Sequence, residues 1–275
     1  MKEKILIFTD LDGTLLDYNT YSYEKALSGI QLIKRKEIPL ILCSSKTRAE
    51  MEVYRKLLKN SHPFIPENGG AVFVPRKYFK IKLKGFMDRS SYWVKELGVT
   101  YPLLRKELVQ VTSKFSQPVY GFGDMNPKEI ASLCGITYKD AELAKWREYD
   151  ETFYFLKSVN DETLKEMQAQ FAKDGFNLVK GGRFFHLTGK NDKGKAVEIL
   201  KDLYQKEFQT KCKAIGLGDS LNDLPLLKAC DIAYLVKKID GSYDKDVLAQ
   251  IKPNLVEGIG PEGWNRAVLE ALGEE

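Results

Sequence analysis

The chain has 275 residues, of which 43% are hydrophobic and 29% are charged, a composition typical of a soluble globular protein with one or two domains. Its net charge of +5 is small and spread along the sequence, and no basic block alternates with aromatic residues, so we predict no nucleic-acid partner. The apolar stretches are too short for a membrane helix or a signal peptide, and the four cysteines show no Cys-x-x-Cys spacing. We therefore expect a cytoplasmic protein without a membrane partner, a disulfide framework or a zinc site.

The first part of the chain alternates patterns typical of strands and helices. We predict strands at 4–9, 38–43, 64–66 and 71–74, and helices at 23–36 and 47–58. Thr47 is followed three residues later by Glu50, which indicates a capping box at the start of the second helix. Strands alternating with helices at this spacing are typical of a parallel, doubly wound sheet.

The last third repeats this alternation. We predict helices at 192–208, 222–229 and 261–272, and strands at 212–217 and 232–236. The two ends of the chain therefore favour one α/β, Rossmann-like core built from both.

The middle of the chain differs from the two ends. We predict helices at 88–97, 102–114, 129–134, 140–146 and 161–174, and strands at 152–156, 176–180 and 184–187. This insert is large enough to be a domain. We predict a core of residues 1–84 and 186–275 and an inserted α/β cap of residues 85–185, joined by glycine-containing hinges near Lys84-Gly85 and Lys180-Gly181-Gly182.

Two aspartates directly follow the first predicted strand, in the stretch Asp10-Leu11-Asp12-Gly13-Thr14-Leu15. Ligands of open α/β sheets bind at the carboxyl ends of the strands, so a turn there can present both carboxylates to one point. Asp10 is suited to attack phosphorus as a nucleophile. Asp12 is suited to protonate the leaving oxygen and then to deprotonate water. The alternative is a solvated acidic turn, which the apolar strand before it disfavours.

A second acidic stretch, Gly218-Asp219-Ser220-Leu221-Asn222-Asp223, follows another predicted strand. Mg²⁺ prefers carboxylate, water and phosphate oxygens as ligands, so Asp219 and Asp223 are candidate metal ligands. The alternative is a simple cap at the start of the next helix, and Asp223 can do both.

Two further stretches are suited to bind phosphate. Ser44, or the adjacent Ser45, precedes a helix start, where a hydroxyl and backbone N–H groups can hold an anion. Lys193 lies near the start of another helix, where its charge can neutralise a transferring phosphoryl group. Helix capping and an ordinary solvated lysine are the alternatives.

These stretches, in this chain order, resemble the four motifs of the haloacid dehalogenase (HAD) superfamily, and the insert is similar to the C2B-type cap of its subfamily IIB. The matching positions are Asp10, Asp12, Ser44, Lys193, Asp219 and Asp223. The resemblance implies a phosphatase with an aspartyl-phosphate intermediate on Asp10 and with Asp12 as general acid/base. It also implies Mg²⁺ held by the Asp10 carboxylate, the backbone carbonyl of Asp12 and Asp219, with Asp223 as the second acid of motif four.

Other stretches resemble one group within this family, the phosphatases of mannosyl-3-phosphoglycerate. They are Ser44-Ser45-Lys46-Thr47-Arg48, the residues 147–152 and 182–186, and Gly260-Pro261-Glu262-Gly263-Trp264. This resemblance implies hydrolysis of mannosyl-3-phosphoglycerate to mannosylglycerate and phosphate, and thus a small phosphorylated glycoside as the partner.

Several residues are candidates for binding such a substrate. Arg147 and Arg183 in the predicted cap suit a glycerate carboxylate through paired hydrogen bonds, with ordinary salt bridges as the alternative. We add Ser45 and Asn222 from the phosphate motifs. Asn68 lies in Glu67-Asn68-Gly69, which resembles the turn beside the active site in subfamily IIB, although the extra Gly70 departs from the usual pattern.

Other functions stay open at this point. The same acids would serve a phosphatase of glucosyl-3-phosphoglycerate, sucrose phosphate or a hexose phosphate, or a hexose phosphomutase. A binding protein that kept the fold is disfavoured because both aspartates after the first strand are present. The sequence does not determine the oligomeric state.

Overall fold

The structure is a computed structural model that describes residues 3–181 and 183–274. Gly182, in the second predicted hinge, lies outside these residues. Among the described residues, no helix combines the length and the apolar character that a membrane span requires.

Strands make up two sheets. In chain order the strands are β1 (Lys4–Thr9), β2 (Leu40–Cys43), β3 (Phe64–Ile65), β4 (Ala71–Pro75), β5 (Met87–Arg89), β6 (Tyr92–Glu96), β7 (Val119–Gly121), β8 (Asp150–Phe155), β9 (Asn177–Lys180), β10 (Phe185–Thr188), β11 (Cys212–Gly218), β12 (Ile232–Lys237) and β13 (Asn254–Ile259). The large sheet has the order β13-β12-β11-β1-β2-β3-β4-β6-β5 and the small sheet the order β7-β8-β10-β9. The large sheet is parallel from β13 to β3 and antiparallel from β3 to β5, whereas the small sheet is antiparallel throughout.

Helices cover both sheets. They are α1 (Leu27–Arg35), α2 (Arg48–Leu57), α3 (Tyr101–Lys114), α4 (Pro127–Cys134), α5 (Tyr138–Ala144), α6 (Asp161–Asp174), α7 (Lys193–Phe208), α8 (Leu224–Ala229), α9 (Lys245–Leu248) and α10 (Pro261–Ala271). The capping box predicted at Thr47 is confirmed, since its hydroxyl accepts from the N–H of Glu50 while the Glu50 carboxylate accepts from the N–H of Thr47.

The central parallel strands β1, β2 and β11 of the large sheet are buried on both faces, as parallel strands usually are. Along β1, Ile7 packs into a core on one face with Trp264 of α10, while Leu6 and Phe8 pack on the other face with Leu200 of α7. The small sheet has its own apolar core under α3 and α6. The predicted α/β fold with a mainly parallel central sheet and a separate second sheet is confirmed.

Three features of the middle segment differ from expectation. The helix predicted at 88–97 is wrong, because this segment is the hairpin β5–β6, with Ser90 in the left-handed region at φ 50°. β5 and β6 extend the large sheet, so the chain enters the small-sheet unit after Glu96 rather than at residue 85. β10 still pairs with β8 and β9, so the chain returns after Thr188 rather than at residue 186. Pairing of Tyr92–Glu96 with β4 and β5 outweighs the helical spacing of the apolar residues in this segment.

The two crossings between the sheets lie side by side. Gly98 N donates to Gly70 O of the large-sheet unit, and a Cβ added to Gly189 would lie 2.8 Å from the side chain of Val99. Gly85, predicted as a hinge, precedes β5 and lies before the first crossing. The extent of a cap as a separate domain stays a prediction.

Candidate active site

The strand order reverses beside β1. The chain continues from β1 to β2 on one side, while β11 pairs with β1 in parallel on the other side. Asp10 follows β1 and Asp219 follows β11, so both aspartates lie at carboxyl ends of adjacent parallel strands. This crevice is where open α/β sheets bind their ligands.

Lys193 joins the two predicted acidic stretches. It is the first residue of α7, and its side chain is fully buried. Its Nζ lies 2.6 Å from Asp10 Oδ1 and 2.6 Å from Asp223 Oδ1. The start of α7 therefore brings a cation to residues that are 183 and 30 positions away in the sequence.

Asp219 completes the group. Its Oδ1 accepts a hydrogen bond from Thr14 Oγ1 at 3.1 Å. Gly13 has φ 76°, and a Cβ there would lie 3.1 Å from Asp219 Oδ2, so the turn after β1 needs glycine for both backbone and space. Carboxylate oxygens of Asp10, Asp219 and Asp223 all lie within 4.8 Å of one another. We call these three aspartates and Lys193 the acid centre.

The acid centre carries more negative charge than its single lysine balances. Burial, followed by the charge of Asp223, raises the pKa of Asp10 to about 7, although Lys193 opposes the shift. Burial and the charges of Asp223 and Asp10 also raise the pKa of Asp219 well above its usual range. Such a site favours an added cation, because a cation would stabilise all three carboxylates in their charged form.

Asp12 is held by a second buried lysine. Lys46 Nζ lies 3.0 Å from Asp12 Oδ1 and 3.7 Å from Glu50 Oε1. The same ammonium lies 4.7 Å from the ring centroid of Tyr21 and 5.5 Å from that of Tyr54. Two carboxylates and two aromatic faces thus surround it.

The predicted phosphate-binding serines lie on the loop between β2 and α2. Ser44 is fully buried, and its hydroxyl accepts a hydrogen bond from Lys46 N at 3.2 Å. The carbonyl of Ser44 accepts from Asn68 N, and the carbonyl of Ser45 accepts from Arg147 Nη1 at 3.1 Å. The loop is therefore fixed by contacts to both units of the molecule.

The other three predicted substrate residues also have protein partners. Asn68, in the left-handed region at φ 53°, donates from Nδ2 to Asp150 Oδ2 at 2.7 Å. Arg183 donates to the Tyr18 hydroxyl at 3.0 Å and to the Cys134 carbonyl at 2.9 Å. Asn222 Oδ1 accepts from the hydroxyl of Ser220 at 2.7 Å.

A buried polar cluster joins the small-sheet unit to the large-sheet unit beside Ser45. It consists of Glu67, Asn68, Arg147, Asp150 and His186, and we call it the clasp. Glu67 accepts from the backbone N–H groups of Glu148 and Tyr149, at 3.0 and 2.7 Å. His186 Nδ1 lies 3.0 Å from both carboxylate oxygens of Asp150. These contacts give His186 a structural role in the clasp.

The sequence did not predict a role for several residues that lie near the site. Thr14 and Lys46 lie within stretches that were singled out for other residues. Their contacts in the folded chain, Thr14 with Asp219 and Lys46 with Asp12, are what identify them as parts of the site. Glu67 and Asp150 are separated by 83 positions, so no local pattern could have linked them. The terminal stretch around Trp264 has a clear role: its indole Nε1 donates to Thr9 Oγ1 at 2.9 Å, next to Asp10.

Comparison with known proteins agrees with this geometry. The family model of haloacid dehalogenase-like hydrolases matches residues 7–259. The chain belongs to this family. The expectation from the motifs of Asp10, Ser44, Lys193 and Asp219 is thereby confirmed at the family level.

Curated relatives match over almost the whole chain. A glucosyl-3-phosphoglycerate/mannosyl-3-phosphoglycerate phosphatase of Methanococcoides burtonii is 48% identical over 98% of both chains. A protein of the same name from Persephonella marina is 38% identical over 98% of both chains. A mannosyl-3-phosphoglycerate phosphatase of Pyrococcus furiosus is 36% identical over 84% of this chain and 90% of its own. The expected enzyme class, a phosphoric monoester hydrolase, agrees with these names.

Solved structures share the fold. Thermoplasma acidophilum 0175 aligns over 99% of both chains with a TM-score of 0.67 and 19% identity. A sugar phosphatase of HAD subclass IIB aligns over 98% of this chain and 99% of its own, with a TM-score of 0.65 and 16% identity. The resemblance to subfamily IIB is thus confirmed for the fold.

Proposed function

We propose that this protein is a Mg²⁺-dependent phosphatase of mannosyl-3-phosphoglycerate and glucosyl-3-phosphoglycerate. The observation that carries the proposal is the buried contact of Lys193 with Asp10 and Asp223 at the point where the strand order reverses. The relatives named for these two substrates support the choice of substrate, since one of them is 48% identical over nearly the full length.

Asp10 is the nucleophile in this proposal. Its carboxylate oxygen forms a bond to phosphorus, and the bond between phosphorus and the glycerate oxygen breaks. Lys193 holds the Asp10 carboxylate in place and offsets negative charge on the phosphoryl group. The buried hydroxyl of Ser44 accepts from Lys46 N and can still donate to a phosphoryl oxygen.

Asp12 moves the protons. In the first step its protonated carboxyl gives a proton to the departing glycerate oxygen, so that the glycosylglycerate leaves as an alcohol. In the second step its carboxylate takes a proton from water as the water oxygen attacks phosphorus. The bond between Asp10 and phosphorus then breaks, which releases inorganic phosphate and restores both carboxyl groups.

The residues present suit a hard divalent cation. Asp10 and Asp219 would hold it through their carboxylates, with Asp223 beside them and the backbone carbonyl of Asp12 as a further oxygen ligand. The cluster of three buried carboxylates around one lysine supports this fit, and burial together with the neighbouring carboxylates raises the pKa of Asp10 and of Asp219. When bound, Mg²⁺ supplies charge neutralisation between the carboxylates and the phosphate dianion.

Arg147 and Arg183 are the candidates for binding the carboxylate of the substrate. Both lie on the small-sheet side of the crevice, and each already donates to a backbone carbonyl. Arg183 is the more exposed of the two, so we propose that it is the arginine that can turn toward the glycerate carboxylate.

Release of phosphate tests the proposal. Wild-type enzyme with Mg²⁺ is given mannosyl-3-phosphoglycerate, glucosyl-3-phosphoglycerate, free 3-phosphoglycerate, sucrose phosphate and hexose phosphates, with Asp10→Asn as the control. We expect the two glycosyl-phosphoglycerates to have the highest kcat/KM and the variant to lose at least ~10³-fold, as expected when a nucleophile is removed. Equal turnover of hexose phosphates would overturn the substrate, and activity in Asp10→Asn would overturn the mechanism.

A further inference from the structure

The surroundings of Lys46 give this residue a role that the family motifs do not assign. Its side chain is only 10% exposed, which is unusual for a lysine and requires compensating partners. Those partners are the carboxylates of Asp12 and Glu50 and the ring faces of Tyr21 and Tyr54. Each partner comes from a segment near the active site.

Lys46 is itself fixed from several sides. Its backbone N–H donates to Ser44 Oγ at 3.2 Å, and its carbonyl accepts from Glu67 N at 3.0 Å. Glu50 is fixed as well, because its other oxygen accepts from Thr47 N at 2.8 Å in the capping box. The ammonium is therefore held at a defined place before it contacts Asp12.

Asp12, in contrast, is partly exposed to solvent. Its side chain is 33% exposed, and it precedes Gly13 in a turn whose conformation depends on glycine. A carboxyl that must reach first the leaving oxygen and then a water molecule needs a defined orientation. Lys46 Nζ lies 3.0 Å from Asp12 Oδ1, so the attraction between the two charges favours one orientation of a carboxyl that stays partly exposed.

We propose that Lys46 is a positioning residue that holds the Asp12 carboxyl for proton transfer to the leaving group. The inference rests on the proposed phosphatase function and adds a residue to it. A role in binding the substrate carboxylate is disfavoured, because two carboxylates already offset the charge of this ammonium.

The test compares two leaving groups. The parameter kcat/KM reports the steps up to phosphoryl transfer to Asp10, in which the leaving oxygen departs. A glycosyl-3-phosphoglycerate has an alcohol leaving group that needs a proton, whereas p-nitrophenyl phosphate releases a stable anion that does not. Loss of proton donation therefore lowers kcat/KM for the first substrate more than for the second.

Lys46→Met is the main variant, since methionine keeps the unbranched length and removes the charge. We expect kcat on the glycosyl-3-phosphoglycerate to fall about tenfold to a hundredfold, within the range of general acid catalysis, with KM within threefold of wild type. For p-nitrophenyl phosphate we expect kcat/KM within threefold of wild type. Asp12→Asn is the reference and should show the same pattern with larger losses.

Two further variants keep the test decisive. Lys46→Met leaves Asp12 and Glu50 without their cation, so the double variant Lys46→Met/Glu50→Gln removes one unpaired charge and should show the same pattern if the single variant does not fold. Glu50→Gln alone keeps a capping acceptor and the contact with Asp12, and should retain the ratio of the two kcat/KM values.

Three results would overturn the inference: equal losses on both substrates, a raised KM with unchanged kcat, or no loss at all. The first would make Lys46 a general structural residue and the second a substrate contact. Failure of the wild-type enzyme to release phosphate from any alkyl phosphate would instead overturn the proposed function, so the two failures are distinguishable.

Discussion

The acid centre and the clasp are both buried groups of charged side chains, but they differ in how their charges are balanced. In the clasp, the carboxylates accept from backbone N–H groups, an asparagine amide and a histidine, all of them parts of the protein. In the acid centre, three carboxylates lie within 4.8 Å of one another, and one lysine, Lys193, contacts two of them. Asp150 in the clasp therefore has its charge partners within the protein, whereas the acid centre has an excess of negative charge.

The pKa values of one carboxyl from each cluster, Asp150 and Asp10, express the same difference. Burial by itself would raise the pKa of Asp150 in the clasp, yet His186, Arg147 and Asn68 bring it below its usual value. In the acid centre, burial and neighbouring carboxylates raise the pKa of Asp10 to about 7. A buried carboxylate that the protein balances, such as Asp150, points to a structural role, whereas three carboxylates clustered around one lysine point to a ligand.

The substitution with the largest expected effect on the acid centre removes its lysine, Lys193. Lys193→Met should lower kcat by ~10³-fold or more, and should lower the free energy of unfolding by about 3–5 kcal/mol, because it leaves buried carboxylates unpaired. Phosphate release and urea unfolding measure the two effects. Lys195→Met is the control, since this lysine is exposed two residues further along α7. Equal behaviour of the two variants would contradict the assignment.

The matching change in the clasp should affect stability more than activity. Asp150→Asn weakens charge-assisted contacts with His186 and Asn68, so we expect the free energy of unfolding to fall by about 2–3 kcal/mol. We expect kcat to fall less than tenfold, because Asp150 does not contact the acid centre. Asp202→Asn on the exposed side of α7 serves as the control. A loss of activity as large as that of Lys193→Met would erase the distinction between the two clusters.

The contribution of the clasp to stability should also depend on pH, because Glu67 titrates. Burial raises the pKa of this carboxyl to about 8, although Arg147 and the N–H of Tyr149 oppose the shift. Between about pH 4.5 and 8 the folded state therefore binds more protons than the unfolded state, and the contribution of Glu67 to stability is lost as the pH rises through this window.

Glu67→Gln removes this titration. We expect the free energy of unfolding of wild type, relative to that of the variant, to decrease by about 2 kcal/mol between pH 5 and pH 8. This is less than the full difference in pKa would give, because residual structure in the unfolded state and relaxation of the folded state both reduce the effect. Glu198→Gln, at an exposed position of α7, should leave the pH dependence unchanged. A pH-independent difference between wild type and Glu67→Gln would show that Glu67 does not titrate in this window.

The smallest expected effect concerns the excess charge itself. In EDTA, Asp219→Asn removes one of the repelling carboxylates and keeps an acceptor for Thr14, so we expect the free energy of unfolding to stay the same or to rise by up to about 1 kcal/mol. With saturating Mg²⁺, wild type should gain stability by mass action, about 2.7 kcal/mol at a hundredfold excess over Kd, and the variant much less. A variant that is clearly destabilised in EDTA would contradict the charge imbalance.

Local patterns were sufficient for the elements that carry the family motifs. Alternation of apolar runs and helical periodicity placed β1, α2 and β11, because a strand buried on both faces is continuously apolar and a capping box is a local interaction. Asp10, Asp219 and Lys193 follow directly from these elements, since residues at the ends of parallel strands and at a helix start meet at one edge of the sheet. The hairpin β5–β6 was missed because its partner, β4, decides its conformation.

The partners of buried charges depended on the tertiary structure. The sequence by itself determined the family, the α/β fold and the acids after β1 and β11. Only the folded chain placed Lys46 beside Asp12, and Glu67 beside the backbone of Glu148 and Tyr149. The physical reason is that a side chain's charge partner is selected by distance in space and by burial, and neither leaves a periodic trace along the sequence.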